Sequence, residues 1–338
     1  MKIGDMELAL SPTTAGLSVL ELADLCRFAE DLGYRHSWLA EVAGPDAFVL
    51  AAAAAVRTEH MHFGVGVVPA YTRTPAALAT AAASVSQLLG GRPFALGIGS
   101  SSETIVSSWH GLAFEQPLTR VVETVVAVRK ALAGEGDFEG QTVAMNRFRM
   151  ASPPLGPVPL YLGALRPRML AAAGAHGDGV CLNLMPAQVV TLQLAEVRKG
   201  AQEAGREVPN DFGLPDAFGV MARLQVLITD DVPAARDQLR NNFIGPYLAQ
   251  PVYNRFLVWM GYEEEADAIT AGWVARDREA VARAIPDRLV DDMALLGSPS
   301  RVKERLEEFA AAGLTVAAMM VLTPSRSAVE ETLRALAK

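Results

Sequence analysis

The stretch SVSQLLGGRPFALGIGS, residues 84–100, joins an amphipathic helix, a glycine pair and a short apolar strand. The same order of helix, glycine and strand returns at residues 18–40, 168–183 and 301–322. Helices that alternate with unbroken apolar strands indicate a parallel sheet covered on both faces. The repeated pattern therefore predicts an α/β fold.

Eight apolar segments have the length and residue types of strands: residues 7–10, 37–40, 62–68, 94–99, 160–163, 179–183, 219–228 and 316–322. Eight strand–helix units with insertions suit a (β/α)8 TIM barrel. The alternative, an open doubly wound sheet, calls for a G-x-G-x-x-G fingerprint after the first strand, and SPTTAG at residues 11–16 lacks it. We therefore predict one barrel domain over residues 1–338, in which residues 3–10 and 316–322 are adjacent parallel strands.

Two stretches do not follow the repeat and are predicted to be insertions. Residues 134–159 are rich in turn-forming residues and favour a small hairpin. Residues 245–299 contain aromatic residues, an acidic run and a helical segment. We expect the loops of this second insertion, up to Asp292, to contribute to a substrate pocket.

The net charge and the length of the apolar runs limit the kinds of partner that we expect the protein to bind. The formal net charge of −8 argues against nucleic acid binding, which calls for a basic face. The longest alanine-rich run, Ala51–Val56, is too short to span a bilayer, and the first ten residues lack the apolar region of a signal peptide. We expect a cytoplasmic protein without a membrane partner. The two cysteines, Cys26 and Cys181, are expected to be buried thiols.

In such a barrel the reacting groups lie at the carboxyl ends of the strands. The predicted rim has few acid–base groups, and no His, Cys or Asp cluster has the spacing of a metal site, so we expect no metal. Glycines lie near several strand ends, at positions 64, 66, 97, 99 and 163. Bare backbone suits a bound cofactor that carries its own chemistry. Arg166 and Arg168, at the start of a helix, suit a phosphate.

Four stretches carry a family resemblance: residues 64–101, 107–125, 157–180 and 295–314. The most specific is PAYTRTP, residues 69–75, followed by GGRPFALGIG, residues 90–99. With these stretches the chain resembles the luciferase-like monooxygenase superfamily, and within it the branch that uses the deazaflavin coenzyme F420. The resemblance covers nearly the whole chain.

The resemblance implies an F420-dependent oxidoreductase that transfers a hydride between the deazaflavin and a small organic substrate. One alternative is an FMN-dependent monooxygenase that uses reduced flavin and O2. Another is a barrel that has lost its cofactor and binds a ligand without catalysis. The resemblance also implies a homodimer.

The resemblance further implies which residues hold the cofactor. A cis peptide between Gly66 and Val67 would back the deazaflavin ring, because the glycines at 64 and 66 leave room for a bulge there. The alternative at these residues is an ordinary β-bulge. The ring would lie near Glu41, Gly99, Ser101 and Ser102. The phosphate would lie at the turn of Gly163, Ala164, Leu165 and Arg166.

The chain departs from the sugar-phosphate dehydrogenases of this branch, which carry an Asp-His pair after the second strand and a Glu after the fourth. Here Glu41 and Val42 stand at the first position, and Ser102 stands at the second with Glu103 beside it. Oxidation of a sugar phosphate is therefore not expected. His110 is the remaining imidazole near the rim; it either donates a proton or packs against its loop. The catalytic candidates are Glu41, Glu103 and His110.

Overall fold

Eight parallel strands form a closed barrel in the computed structural model, which describes residues 1–12, 16–206, 218–323 and 325–337. The strands are β1 (Lys2–Ile3), β2 (Met6–Leu10), β3 (His36–Leu39), β4 (His62–Pro69), β5 (Phe94–Gly99), β6 (Phe138–Glu139), β7 (Ala144–Met145), β8 (Leu160–Gly163), β9 (Gly179–Asn183), β10 (Gly219–Ile228), β11 (Ala294–Gly297) and β12 (Val316–Val321). The barrel order is β2, β3, β4, β5, β8, β9, β10, β12 and back to β2. The predicted TIM barrel is confirmed.

The pairing that closes the barrel is the predicted one between the first and last segments. Glu7 lies opposite Val316, and Leu10 opposite Met319, in a parallel register. The prediction of one strand from residue 3 to residue 10 is wrong in one respect. Gly4 adopts a φ of 55°, a left-handed conformation open to glycine, and the chain turns there. As a result β1 pairs antiparallel with β2.

Helices cover the outside of the barrel: α1 (Val19–Asp31), α2 (Ala47–Ala55), α3 (Pro75–Leu88), α4 (Pro117–Leu132), α5 (Pro167–His176), α6 (Ala187–Glu203), α7 (Val232–Leu239), α13 (Pro299–Ala311) and α14 (Arg326–Ala337). α1 shows how local sequence sets these bounds. The Ser18 hydroxyl accepts from the Glu21 backbone N–H, and the Glu21 carboxylate accepts from Ser18, which is a capping box. Gly33, at a φ of 92°, ends the helix.

The interior of the barrel is apolar at mid-height. Trp38, Cys181 and Met221 pack together there with the alanines at positions 9, 95 and 318. Side chains alternate between the two faces of a strand, so every second residue of each strand enters this interior. The next inward residues toward the carboxyl ends form the mouth of the barrel. Both cysteines are free and buried, as predicted.

The two insertions differ in size. The first contains the predicted hairpin, β6 paired antiparallel with β7. The second is mostly helical: α8 (Gly245–Leu248), α9 (Pro251–Trp259), α10 (Glu263–Val274), α11 (Arg278–Arg283) and α12 (Asp287–Met293). It also contains β11, which sequence analysis missed because its four residues directly follow a helix; β11 pairs in parallel with β10. None of the described helices has both the length and the apolar character needed to cross a membrane.

Candidate active site

At the mouth of the barrel, the side chain of Val67 covers a surface made of glycines. The peptide between Gly66 and Val67 is cis, as predicted. A Cβ built on Gly99 would lie 2.5 Å from Val67 Cγ2, and Cβ atoms on Gly97 and Gly163 would lie 3.2 and 3.1 Å from Val67 Cγ1. Val67 therefore fills the space that side chains at Gly99 and Gly163 would need; at Gly97 the Val65 carbonyl oxygen is the nearest obstacle, with Val67 beside it. Together they form a smooth wall, which we call the glycine wall.

The interior just behind the glycine wall is tightly packed. A Cβ on Gly66 would lie 2.5 Å from Met221 Cε and 3.3 Å from Trp38 Cε3. The Trp38 ring meets the Tyr161 ring edge-on, with centroids 5.1 Å apart. A planar group placed on the glycine wall would therefore have a filled apolar core beneath it.

Glu41 follows β3 and is held by an arginine from the loop after β4. Arg73 donates to both Glu41 oxygens, at 2.9 and 3.4 Å, and also to Asp46. The Ala47 backbone N–H donates to Glu41 at 3.2 Å, so the carboxylate also supports the start of α2. The Arg73 guanidinium lies 5.0 Å from the centre of the Phe48 ring. Glu41 is thus a fixed, paired carboxylate at the rim.

The residues after β5 form a tight turn followed by a π-helix, Thr104–Trp109. Ser101 has a φ of 60°, and the Ser102 hydroxyl accepts from the Ile105 backbone N–H at 3.3 Å. Glu103 and His110, at the two ends of the π-helix, are exposed. Neither side chain has a hydrogen bond or ion pair with a described residue. The structure thus brings Ser101 and Ser102 to the strand end and leaves Glu103 and His110 on the outer rim.

The turn from Gly163 to Arg166 is anchored on both sides. The Ala164 N–H donates to the Cys181 carbonyl at 3.1 Å, and Gln193 of α6 donates to the Leu165 carbonyl at 3.1 Å. The Ala164 and Leu165 backbone is therefore fixed just before α5 begins.

Arg166 is the N-cap residue of α5 and is half-buried. Burial, followed by the charges of Arg255 and Arg168, lowers the pKa of the Arg166 guanidinium. None of these three arginines has an ion pair with a described carboxylate. Arg166 and Arg168 lie at the N-terminus of α5, and Arg255 comes from α9. Unpaired guanidinium groups beside a helix N-terminus are complementary to a phosphate, so the donor set fits the phosphate of the expected cofactor.

Sequence analysis missed part of the mouth. The sequence indicates no role for Arg73 of the PAYTRTP motif, and the predicted site does not include Arg223 and Gln225 of β10. A sequence pattern could have identified Arg223 and Gln225: they are polar residues two positions apart in the otherwise apolar stretch MARLQVLI, residues 221–228, so they share one face of the strand. Within the part of the chain that the structure describes, no cluster of three metal-ligating side chains exists.

Comparisons with known proteins agree with this geometry. The model of the luciferase-like monooxygenase family matches residues 6–316. A Mycobacterium tuberculosis protein that carries the provisional name coenzyme F420-dependent oxidoreductase is 30% identical over 93% of each chain. The 5,10-methylenetetrahydromethanopterin reductase of Methanolobus tindarius is 28% identical over 88% of this chain and 89% of its own.

Among solved structures, the coenzyme F420-dependent tetrahydromethanopterin reductase of Methanopyrus kandleri superposes with a TM-score of 0.78 at 22% identity, covering 98% of this chain and 97% of its own. That likeness concerns the fold. The family match spans most of the chain, from the first barrel strand to the start of the last. The chain belongs to the luciferase-like monooxygenase family.

Proposed function

We propose that this protein is an F420-dependent oxidoreductase that transfers a hydride between the deazaflavin and a small organic substrate. The observation that carries the proposal is the glycine wall, on which Val67 presents a smooth apolar surface at the mouth of the barrel. The 30% identity to a relative named for coenzyme F420, over 93% of both chains, supports the choice of cofactor.

The residues present fit each part of this cofactor. Val67, with Gly66, Gly99 and Gly163, would support one face of the ring. Arg166 and the anchored turn of Gly163, Ala164 and Leu165 would hold the phosphate; because the Ala164 N–H already donates to the Cys181 carbonyl, Leu165 would supply the backbone donor. When bound, the cofactor supplies a carbon that gives or accepts hydride; the protein supplies orientation and excludes water.

Five rim residues are assigned to the ring edge or to proton exchange. Glu41, fixed by Arg73, would contact the edge of the ring together with Ser101 and Ser102. Glu103 and His110 are exposed and unpaired among the described side chains, so either could exchange a proton with a substrate at the rim. A change in the pH profile of turnover in His110→Gln, absent in Glu103→Gln, would assign the proton to the imidazole.

Titrating the protein with F420 and with FMN, and measuring the quenching of tryptophan fluorescence, tests which cofactor binds. Trp38 lies directly behind the glycine wall and should report a ring bound there. We expect F420 to quench and saturate, and FMN to bind far more weakly. Saturation by FMN alone would favour a flavin monooxygenase, and no binding of either would favour a ligand-binding barrel; both results reject the proposal.

We also propose that two copies of the chain form a dimer through α2. This helix is apolar on all sides, yet Val49 and Val56 are 56% and 67% exposed. A helix that is apolar all round is normally covered, and a second copy would cover this face.

Light scattering should give the mass of two chains for the parent, and of one chain for Val49→Lys. Leu155→Lys, at a leucine of the first insertion that is 66% exposed, is the control and should remain a dimer. A monomeric parent would contradict the proposal.

A further inference from the structure

The mouth of the barrel has a second, polar side that faces the glycine wall. β4 and β10 are four places apart in the order of eight strands, so they lie on opposite sides of the barrel. Met221 of β10 belongs to the interior cluster, and alternation makes Arg223 and Gln225 the next two inward residues. Asn183 of β9 lies next to Arg223 in the parallel register. The side of the mouth at β4 is thus apolar, and the side at β9 and β10 is polar.

A hydrogen-bonded network ties this polar side to the second insertion. Gln225 donates to Asn183 Oδ1 at 3.1 Å, and Asn183 donates to the Tyr253 hydroxyl of α9 at 2.8 Å. Arg223 donates to the Tyr247 hydroxyl at 3.4 Å, and the Tyr247 and Tyr253 rings meet edge-on at 5.4 Å. Burial raises the pKa of Tyr253 to about 12, so its hydroxyl keeps its proton at neutral pH.

Two groups in this network lack the partners that their chemistry calls for. Among the described residues, no carboxylate forms an ion pair with Arg223; its one side-chain hydrogen bond is the long one to Tyr247. Gln225 is only 1% exposed, yet its Oε1 accepts no hydrogen bond. Buried polar groups without partners are costly, and the half-buried Arg223 guanidinium without a carboxylate partner favours an anion beside it. The Gln225 oxygen is an acceptor and calls for a donor, so the case for an anion rests on Arg223.

We propose that this polar side binds a carboxylate of the substrate, with Arg223 as the principal ligand and the Tyr247 hydroxyl beside it. The planar guanidinium pairs with a carboxylate through two parallel hydrogen bonds, and one positive charge balances one negative charge. A phosphate monoester, with nearly two charges, would leave one unbalanced. The inference rests on the proposed function in one respect: if F420 binds on the glycine wall, the reacting part of the substrate lies between its carboxylate and that wall.

The aromatic residues of the insertion define the rest of the subsite. The Phe243 and Tyr247 rings lie 4.9 Å apart, and Tyr247 in turn contacts Tyr253. These rings form an apolar wall next to the single positive charge of Arg223. The subsite therefore suits an acid with a hydrocarbon or aromatic body better than a small hydrophilic acid.

A pair of probes that differ in charge but hardly in shape tests the proposal: benzoate and benzamide. Their binding is measured by calorimetry on the protein with and without saturating F420. We expect the parent to bind benzoate about tenfold or more tightly than benzamide, and Arg223→Gln to lose that preference. Arg223→Lys should keep part of it, and Tyr247→Phe should weaken benzoate by a smaller factor. Arg278→Gln, at an exposed arginine of α11, is the matched control and should behave like the parent.

The affinity for F420, measured on each variant, separates the two proposals. If Arg223→Gln still binds F420 as the parent does, the variant is folded and its loss of benzoate belongs to the carboxylate subsite. If the parent fails to bind F420, the proposed function falls, and the benzoate preference without cofactor still decides the subsite. The inference is overturned if the parent shows no preference for benzoate over benzamide, or if Arg223→Gln retains that preference.

Discussion

Adding one methyl group to the glycine wall should weaken the binding of F420 without unfolding the protein. In Gly99→Ala the new Cβ would lie 2.5 Å from Val67 Cγ2, whereas carbon atoms in contact prefer about 3.5–4.0 Å. Val67 must therefore move by about 1 Å. Its other methyl group lies over Gly97 and Gly163. We expect Val67 to move outward, into the space assigned to the ring.

The expected size follows from the cost of overpacking. Extra methyl groups in a well-packed site cost about 1–3 kcal/mol, which corresponds to a loss of F420 affinity of roughly 5- to 150-fold. Fluorescence titration with F420 measures the affinity, and thermal unfolding shows that the variant remains folded. Val67→Ala alone should lose only roughly a few-fold in affinity, because it removes part of the apolar support of the ring but places nothing in the space of the ring. Gly99→Ala combined with Val67→Ala should recover to the affinity of Val67→Ala. Normal binding by Gly99→Ala, or no recovery in the double variant, would refute the reasoning.

Three further changes test other parts of the site and fold. Arg166→Ala should weaken F420 binding by about 1.5–3 kcal/mol, which is the scale of hydrogen bonds to a charged group, and Arg168→Ala should weaken it by less. If Arg166→Ala binds F420 as tightly as the parent at moderate salt, Arg166 does not bind the phosphate. Arg73→Ala removes the partner of Glu41 and should reduce F420 affinity roughly fivefold, about 1 kcal/mol after solvent screening, as measured by the same titration. Burial lowers the pKa of His36 from 6.5 to about 4, so the unfolded chain binds the proton first and stability falls as the pH drops from about 6.5 toward 4, by up to about 3 kcal/mol. Urea unfolding should show this loss, and His36→Gln should show a smaller one, because burial also lowers the pKa of the neighbouring His62.

Much of the barrel could be predicted because local sequence determines it. Apolar runs between glycine stops and polar turns bound a buried strand directly, and four strands, β5, β8, β9 and β10, begin and end at the predicted residues. The bulge at residues 66–67 was also accessible, because glycines at alternate positions of an apolar strand are unusual without a close approach. Here the close approach is that of Trp38 and Met221.

The polar contacts of the site could not be predicted, because they join residues far apart in the chain. Arg73 reaches Glu41 across 32 residues, and Tyr253 reaches Asn183 across 70. Which arginine meets which carboxylate depends on how the loops pack above the barrel, and no local pattern encodes that choice. For the same reason the sequence offered Glu41 as a catalytic candidate but did not indicate its ion pair with Arg73.

A crystal structure of the protein with bound F420 tests the central claim most directly. We expect the deazaflavin ring to lie flat against Val67, with its edges near Gly99 and Gly163 and its phosphate within hydrogen-bond distance of Arg166. The open face of the ring should then look toward Arg223. A ring bound away from the glycine wall, or a phosphate held by other residues, would contradict the account.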